Sequence, residues 1–206
     1  MIDQHVNPFI GRLRADGNWQ DSIDMDSFVD YYLIKEFTKD KDADFFFSNY
    51  YYTADVNDPT AKMFMGPVWD FDRSAGNEAG ITRTTVAKPQ GWWVRYHNKT
   101  AIDRITHLPE AKNNWYNRLV DKPAFRAALC ARWQATAGEF NNVAYGGVSS
   151  AVGALGGPLV ANNDRAVWGR SRVERPPSRG KWTKEVKYLR KWYKKRFRWM
   201  NANICR

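Results

Sequence analysis

The sequence predicts an α+β fold that is predominantly helical and contains one β-hairpin. Three observations favour it: apolar residues recur at helical spacing in residues 29–37 and again in 182–200, and segment 48–53 is rich in strand-forming aromatic residues. The chain has 206 residues, enough for one domain with its own hydrophobic core. We therefore expect residues 1–206 to form a single domain, and the lack of a long apolar run argues against a membrane span.

The first firmly predicted element is a helix that Asp24 or Asp26 can cap. Its apolar residues follow the spacing i, i+3, i+4 and i+8: Val29, Tyr32, Leu33 and Phe37. This pattern predicts a helix that runs to about Lys39. Glu36 lies at i+7 on the same stripe, so we expect its carboxylate on the inward side, where it can brace the acidic loop through backbone hydrogen bonds.

A hairpin is predicted after the acidic loop. Residues 48–53, Ser-Asn-Tyr-Tyr-Tyr-Thr, have strand propensity, and residues 57–60, Asn-Asp-Pro-Thr, signal a turn. Residues 62–65 then alternate polar and apolar side chains, so the whole segment 48–66 is interpreted as two strands. The motif Trp69-Asp-Phe-Asp72 follows the hairpin directly.

The second half of the chain is predicted to be mostly helical. One helix lies at about 115–119, and another begins near Pro123 and carries apolar residues at helical spacing over 125–133. The glycines within 146–157 lack the lysine and serine of a phosphate loop, so they are interpreted as a flexible connector. A terminal basic helix within residues 181–201 is expected to pack on the domain.

Charge is distributed unevenly along the chain. The net charge is +10, but residues 170–206 hold 14 Lys and Arg against two Glu, a net of +12. Residues 21–72 hold 12 Asp and Glu against four Lys, a net of −8, which predicts a bound cation, a basic partner, or solvated caps and loops. In the terminal helix the aromatic residues form their own stripe apart from the charges. This pattern predicts a docked helix with a solvated basic face and argues against nucleic-acid binding.

The spacing of several residues in the acidic segment matches that of the catalytic and metal-binding residues of protein kinases. Asp44 stands five residues before Asn49, and Asp70-Phe71 follows one hairpin later. In kinases a catalytic-loop Asp accepts the proton of the substrate hydroxyl, an Asn five residues on binds metal, and the Asp of an Asp-Phe-Gly turn binds Mg²⁺. Two departures are visible: no His-Arg pair precedes Asp44, and Asp72 stands where glycine is expected.

The most specific motif is residues 66–77, Gly-Pro-Val-Trp-Asp-Phe-Asp-Arg-Ser-Ala-Gly-Asn. Other characteristic stretches lie at 23–36, 42–52, 91–94, 115–119 and 125–133 and in the terminal basic helix. Together they resemble the CotH kinase family, the spore coat protein H-like atypical protein kinases, over about residues 20–200. The resemblance implies a kinase-like C-lobe, and phosphorylation of Ser or Thr in secreted or surface proteins with ATP and a divalent metal, Mg²⁺ or Mn²⁺.

The resemblance also implies roles for individual residues. Asp70 would bind the metal ion, and Asn49 would be its second ligand. Asp44 or Asp42 would be the catalytic Asp: the five-residue spacing favours Asp44, but the loop length varies in the family, so both stay candidates. Asp72 would be a further ligand or would be held by the following arginine in a structural pair. From the residues alone, we expect the carboxylates of Asp70 and Asp72 to be half-buried and therefore to need a cation.

Members of this family carry, upstream, a lobe that grips the nucleotide with a lysine. Here only about twenty residues precede the matching segment, so we expect residues 1–20 to be a linker or a helix from an absent N-terminal lobe. The chain alone is then a C-lobe or fragment with weak or no kinase activity, because positioning supplies most of phosphoryl-transfer catalysis. The resemblance implies protein and nucleotide partners and a bacterial spore coat, extracellular or cell-surface location. The nucleotide-binding residues are not identified by the sequence.

A different reading is a non-catalytic surface or carbohydrate-binding module. It is suggested by the 10 Trp and 10 Tyr residues, which could act as exposed stacking platforms, although most of them sit at helical spacing and favour core packing. Cys130 and Cys205 show no zinc-like spacing, and the sequence leaves open whether they form a disulfide.

Overall fold

The computed structural model describes residues 2–40, 50–77, 87–94, 115–160, 162–163 and 182–206. Most of these residues are helical, and the strands among them form a two-stranded antiparallel sheet. The elements are α1 (Asn7–Arg14), α2 (Met25–Thr38), β1 (Tyr51–Thr53), β2 (Met63–Met65), α3 (Trp115–Leu119), α4 (Pro123–Asn142), α5 (Val148–Ala154) and α6 (Trp182–Asn203). The predicted fold class, α+β with a predominance of helix and a hairpin, is confirmed.

Helix α2 begins and ends where its local sequence dictates. At its start the Asp24 side chain accepts a hydrogen bond from the backbone N–H of Ser27 (2.8 Å), which satisfies one of the open N–H groups of the first turn. At its end Lys39 adopts the left-handed conformation, with φ of 47°, and its N–H donates to the carbonyl oxygen of Glu36. The predicted helix is confirmed, and Asp24 is its cap.

Strands β1 and β2 pair with Tyr51 opposite Met65 and Tyr52 opposite Phe64. Because successive side chains alternate between faces, Met63 and Met65 are buried in the core. On the other face Tyr52 and Phe64 stack, with 5.3 Å between ring centroids. The predicted hairpin is confirmed, although each strand has only three residues.

Aromatic side chains fill the core between α2 and the second half of the chain. Tyr116 of α3 is fully buried against Phe28 and Tyr32, and its hydroxyl donates to the carbonyl oxygen of Phe28 (3.0 Å). Burial raises the pKa of Tyr116 well above its ordinary value, so the hydroxyl stays a donor. Phe9 of α1 packs edge-on against Trp115, with 5.3 Å between ring centroids. The first helix is therefore part of the same core.

Helix α4 continues into α5 through a π-helical turn, Val143–Gly147. The prediction of a flexible glycine-rich connector is therefore wrong for Gly146, Gly147 and Gly153, which are helical, whereas Gly156 and Gly157 lie in a turn after α5. Contacts with α6 hold this stretch: Tyr145 packs edge-on against Phe197, and its hydroxyl accepts a hydrogen bond from Arg198 Nε (2.9 Å). Tertiary packing of this kind overrides the low helix propensity of glycine.

Helix α6 runs antiparallel along α4. The indole ring of Trp133 contacts Phe197, and its Nε1 donates to the side chain of Asn201 at 3.1 Å. Just beyond α6, Cys205 forms a disulfide with Cys130 of α4. This bond answers the question that the sequence left open, and it ties the C-terminal end of the chain to α4 across 75 residues.

Candidate functional site

A buried charge cluster lies at the C-terminal end of α2. Its members are Lys35, Glu36, Lys39, Asp40 and Arg196, and each has 0% exposure. Burying a charge is costly unless opposite charges and hydrogen bonds compensate for the lost water. Each charged group of the cluster therefore needs its own ion pair or hydrogen bonds.

Glu36 is the centre of the cluster. Its Oε1 accepts a hydrogen bond from the backbone N–H of Trp93 and its Oε2 from that of Val94, both at 2.7 Å. Arg196 of α6 donates to the same carboxylate at 2.6 Å. The predicted inward orientation of Glu36 is confirmed. Its hydrogen bonds to backbone N–H groups of the described residues go to loop 91–94, whereas residues 41–49 of the acidic loop, which it was expected to brace, lie outside the described residues.

Arg196 joins three segments of the chain. One guanidinium nitrogen donates to the carbonyl oxygen of Glu36 (2.7 Å), and the other donates to those of Pro89 (3.0 Å) and Gly91 (2.7 Å). Burial lowers the pKa of Arg196, and the negative charge of Glu36 opposes this shift, so the side chain keeps its charge. Helix α6 is thereby fixed both to α2 and to the loop before Trp93.

Lys35 connects two segments that carry predicted site residues. Its ammonium forms an ion pair with Asp40, at the start of the acidic loop, and donates to the carbonyl oxygen of Trp69 at 2.9 Å. It also lies over the ring of Phe71, 4.6 Å from the centroid. One buried cation therefore holds the residues on both sides of Asp70 and the first residue of the acidic loop.

The turn that contains Asp70 is held by hydrogen bonds. Asp70 has a φ of 61°, in the left-handed region that Asp tolerates better than most residues. The side-chain amide of Asn77 donates to the carbonyl oxygen of Asp72 (2.6 Å). The backbone N–H of Ala75 donates to the carbonyl oxygen of Thr38 (2.7 Å), so the turn is also attached to the end of α2.

Gly76 allows this turn to approach α6 closely. Its φ is 85°, which favours glycine, and a Cβ at this position would lie 2.1 Å from the hydroxyl oxygen of Tyr188. Tyr188 and Trp192 of α6 both donate to the carbonyl oxygen of Ala87, at 3.3 and 3.0 Å. A side chain at residue 76 would therefore have to displace the Tyr188 ring and its hydrogen bond to Ala87.

Two of the five predicted site residues are described by the structure. Asp70 and Asp72 are both exposed, so the expectation that their carboxylates are half-buried is wrong. Solvent accommodates exposed carboxylates without a cation, and exposure also lets a metal ion or a nucleotide reach them. Asp42, Asp44 and Asn49 lie outside the described residues, and their roles remain predictions.

The described residues on either side of segment 41–49 both lie beside Trp69. Before the segment, Asp40 pairs with the same Lys35 ammonium that bonds the carbonyl oxygen of Trp69. After the segment, the ring of Tyr50 packs edge-on against that of Trp69, with 6.4 Å between centroids. Both borders of the segment are thus close to the residue that precedes the predicted metal ligand.

Lys39 is the third cation of the cluster. Its Nζ donates to the carbonyl oxygen of Gln90 at 2.6 Å. Burial and the positive charge of Arg196 lower the pKa of Lys39 to about 7, while Glu36 acts in the opposite direction. Because the cluster holds three basic groups and two carboxylates, its charges balance when Lys39 is deprotonated.

Lys35, Lys39 and Arg196 are not among the residues that the sequence motifs mark as functional. A signal exists for Arg196: it lies four residues after Trp192 and four before Met200, both buried, which places a cation on the inward stripe of α6. No such spacing marks the two lysines, because α2 buries residues on most of its circumference. Helical periodicity cannot then separate an inward lysine from an outward one.

The chemistry of the Asp70 turn is suited to a hard divalent cation. Within the described part of the chain, no three His, Cys, Asp or Glu side chains come together as a metal site. Mg²⁺ and Mn²⁺ prefer carboxylate oxygens, and Mg²⁺ is often bound through one or two carboxylates together with water and phosphate oxygens. Asp70 and Asp72 supply ligands of this type, so the turn fits part of such a site.

Replacing Lys35 with methionine is expected to lower the free energy of unfolding by about 3–5 kcal/mol, because it removes the ammonium from the buried carboxylate of Asp40. Lys62→Met, at an exposed lysine just before β2, is the control and should change it by less than about 0.5 kcal/mol. Urea unfolding of both variants measures the difference. A loss no greater than that of the control would show that the cluster does not need this cation.

The low pKa of Lys39 makes stability depend on pH. Between about 7 and the ordinary lysine value of 10.5, the unfolded chain holds a proton that the folded chain has released. The free energy of unfolding should therefore rise with pH above about 7, by up to about 1.4 kcal/mol per pH unit, and Lys39→Met should lose this rise.

The measurement is urea unfolding between about pH 7 and pH 9, below the range where ordinary tyrosines ionise. We expect the parent to gain stability relative to Lys39→Met across this range and to keep a constant difference from Lys62→Met. If the difference between the parent and Lys39→Met does not change with pH, Lys39 keeps an ordinary pKa and this account of the cluster fails.

Comparison with known proteins places these elements in a family. The family model described as CotH kinase protein matches residues 15–200, which include α2, the hairpin, the Asp70 turn and most of α6. No curated protein and no solved structure matches the chain significantly. Because the match covers most of the sequence, the resemblance inferred from the motifs is confirmed, and the chain belongs to the CotH kinase protein family.

Proposed function

We propose that this chain carries the catalytic Asp and the metal ligands of a CotH-like atypical protein kinase, which transfers phosphate from ATP to Ser or Thr of secreted or surface proteins with Mg²⁺ or Mn²⁺. Family membership supports kinase-like chemistry. The observation that carries the proposal is the Lys35 ammonium, which bonds both Asp40 and the carbonyl oxygen of Trp69. The residue that precedes segment 41–49 and the backbone next to Asp70 thus share one buried cation, and fixed positions of this kind are what phosphoryl transfer requires.

In this mechanism the residues of the chain position the reactants. Asp44 orients the acceptor hydroxyl and takes its proton as the oxygen attacks the terminal phosphorus in line and the bond to ADP breaks. Asp42 is the alternative proton acceptor. Asn49 and Asp70 hold the metal ion, with Asp72 as a further ligand. When bound, the ion neutralises charge on the phosphate oxygens.

The disulfide between Cys130 and Cys205 supports the class of substrate. Disulfides form and persist in oxidising environments and are rare in the reducing cytosol. A spore coat, extracellular or cell-surface location agrees with this chemistry. An enzyme in such a location meets secreted and surface proteins, which are the proposed acceptors.

The metal-binding role of Asp70 is tested by titrating the full chain with Mn²⁺ and following binding by calorimetry or electron paramagnetic resonance. Asp70→Asn should weaken binding at least about tenfold, because even residues that merely support metal ligands cost about 10–100-fold when mutated. The control is Asp121→Asn, which neutralises another exposed carboxylate and should leave the affinity unchanged. Equal affinities for the parent and Asp70→Asn would exclude Asp70 as a ligand.

The catalytic role is tested by transfer of radiolabelled phosphate from ATP to dephosphorylated casein, at a chain concentration and incubation time that make the weak activity expected of the chain alone measurable. We expect Asp44→Asn to lower transfer by about 100-fold or more while Mn²⁺ affinity stays the same, because it removes the proton acceptor and not a metal ligand. Asp42→Asn should keep most of the activity, and the reverse pattern would assign the role to Asp42. Transfer that survives both substitutions would exclude the proposed mechanism.

A second candidate function is carbohydrate binding, and exposed rings on the outer face of the hairpin favour it. Tyr50, Tyr52 and Trp69 are 47%, 53% and 57% exposed. Phe64 stacks on Tyr52, and Tyr50 lies edge-on to Trp69, so two aromatic pairs face solvent. Flat, exposed rings with one polar edge are suited to stacking on the apolar faces of sugars.

Affinity electrophoresis in gels that contain soluble polysaccharides tests this second function. If the rings bind sugar, Trp69→Ala and Tyr52→Ala should each lose most of the retardation shown by the parent, because each removes a stacking surface. Tyr145→Ala, at another exposed aromatic residue, is the control and should keep it. A parent chain that no polysaccharide retards would exclude this function, whatever its metal affinity.

A further inference from the structure

The surface formed by α5 and residues 155–160 is mostly exposed but uncharged. Residues 140–163 contain no Asp, Glu, Lys or Arg. Leu155 and Leu159 are 63% and 68% exposed, and Val160 is 46% exposed. Helical segments that face water normally carry charged side chains there. A charge-free segment with exposed aliphatic residues therefore indicates contact with something other than water.

A row of cations runs along the neighbouring helix α6. Its members alternate at spacings of three and four residues and so share one helix face: Lys184, Lys187, Lys191, Lys194 and Arg198. The row is about 21 Å long at the usual helical rise. All of these residues except Lys194 are exposed, and the only acidic residue in α6 is Glu185. This face of the helix is thus strongly positive.

The cation row borders the uncharged surface. Helices α4 and α5 run antiparallel to α6, since Trp133 packs on Phe197 and, further along, Lys194 lies over the ring of Tyr145 at 5.2 Å. Helix α5 continues α4 and also contacts α6, so we infer from the antiparallel course that residues 155–160 lie towards the N-terminal half of α6. The exposed aliphatic residues and the cation row therefore form one continuous face of the molecule.

We propose that this face docks on an anionic lipid membrane, with Leu155, Leu159 and Val160 entering the interface and the cation row binding the headgroups. Surface-binding helices combine apolar and basic side chains in this way. An acidic protein segment would match the cations and leave the aliphatic side chains in water. A second copy of the chain would bring the same positive charge against this face.

Charge complementarity therefore favours the lipid surface over both other occupants. In the described part of the chain, no helix has the length and apolar character needed to cross a bilayer. The proposal does not rest on the kinase function, because none of the residues on this face belongs to the Asp70 turn or to segment 41–49.

The test is flotation of the full chain with phosphatidylcholine vesicles, with and without phosphatidylglycerol. We expect at least about tenfold stronger binding to the anionic vesicles, and we expect it to fall as sodium chloride is raised, because salt screens exposed charges. Equal binding to both kinds of vesicle would overturn the proposal.

Two double variants separate the contributions of charge and apolar contact. Lys187→Glu with Lys191→Glu should weaken binding roughly tenfold or more, because each lysine interacts with the anionic surface. Leu155→Ser with Leu159→Ser should also weaken it roughly tenfold, since it removes the inserted apolar area without changing charge. The matched control, Lys62→Glu with Arg126→Glu, lowers the net charge by the same amount elsewhere and should have little effect.

Three other results would overturn the proposal. The first is a control pair that weakens binding as much as the Lys187 and Lys191 pair, which would mean that only net charge matters. The second is binding to polyglutamate that is tighter than binding to vesicles and insensitive to the leucine pair. The third is a dimer, detected by sedimentation, that the leucine pair disrupts in a chain that binds no vesicles. Thermal unfolding of each variant checks that it folds.

Discussion

The buried ion pair between Glu36 and Arg196 is the interaction on which the rest of the structure depends. It joins residues 160 positions apart and lies wholly inside the core. Removing one partner of such a pair typically costs about 3–5 kcal/mol, because the other charge stays buried. The same two side chains also hold the backbone of loop 89–94, so helix α2, helix α6 and this loop form one rigid unit.

The neighbouring Lys35 ammonium extends this rigidity to the candidate site. It is buried, yet what it holds is the backbone next to Asp70, whose own side chain is exposed. Buried and exposed charges thus have different roles. The buried charges fix the main chain, and the exposed carboxylates are accessible to a metal ion or a nucleotide. Preorganisation of this kind is what a positioning mechanism needs, because a ligand misplaced by about 1 Å can cost about a hundredfold in rate.

Much of the fold could be predicted because its signals are local. Asp24 caps α2, the strands alternate inward Met63 with outward Phe64, and α6 has a clear apolar stripe. The helical glycines before residue 154 could not be predicted, since contacts with α6 override their propensity. The buried charge cluster could not be predicted either. A lysine on α2 is expected at the surface, and its burial is tolerated only because of partners that are distant in sequence.

Helix α6 links the two functional proposals through its opposite faces. Its inward face places Arg196 in the cluster that supports the Asp70 turn, and Gly76 of that turn lies against Tyr188 of the same helix. Its outward face carries the cation row. A buried ion pair and a disulfide just beyond its end hold α6 in a fixed orientation relative to the rest of the domain. Docking of the cation row on a membrane would therefore also set the direction in which the Asp70 turn faces. If the chain has the proposed kinase function, this orientation would favour acceptor proteins held at the same membrane surface.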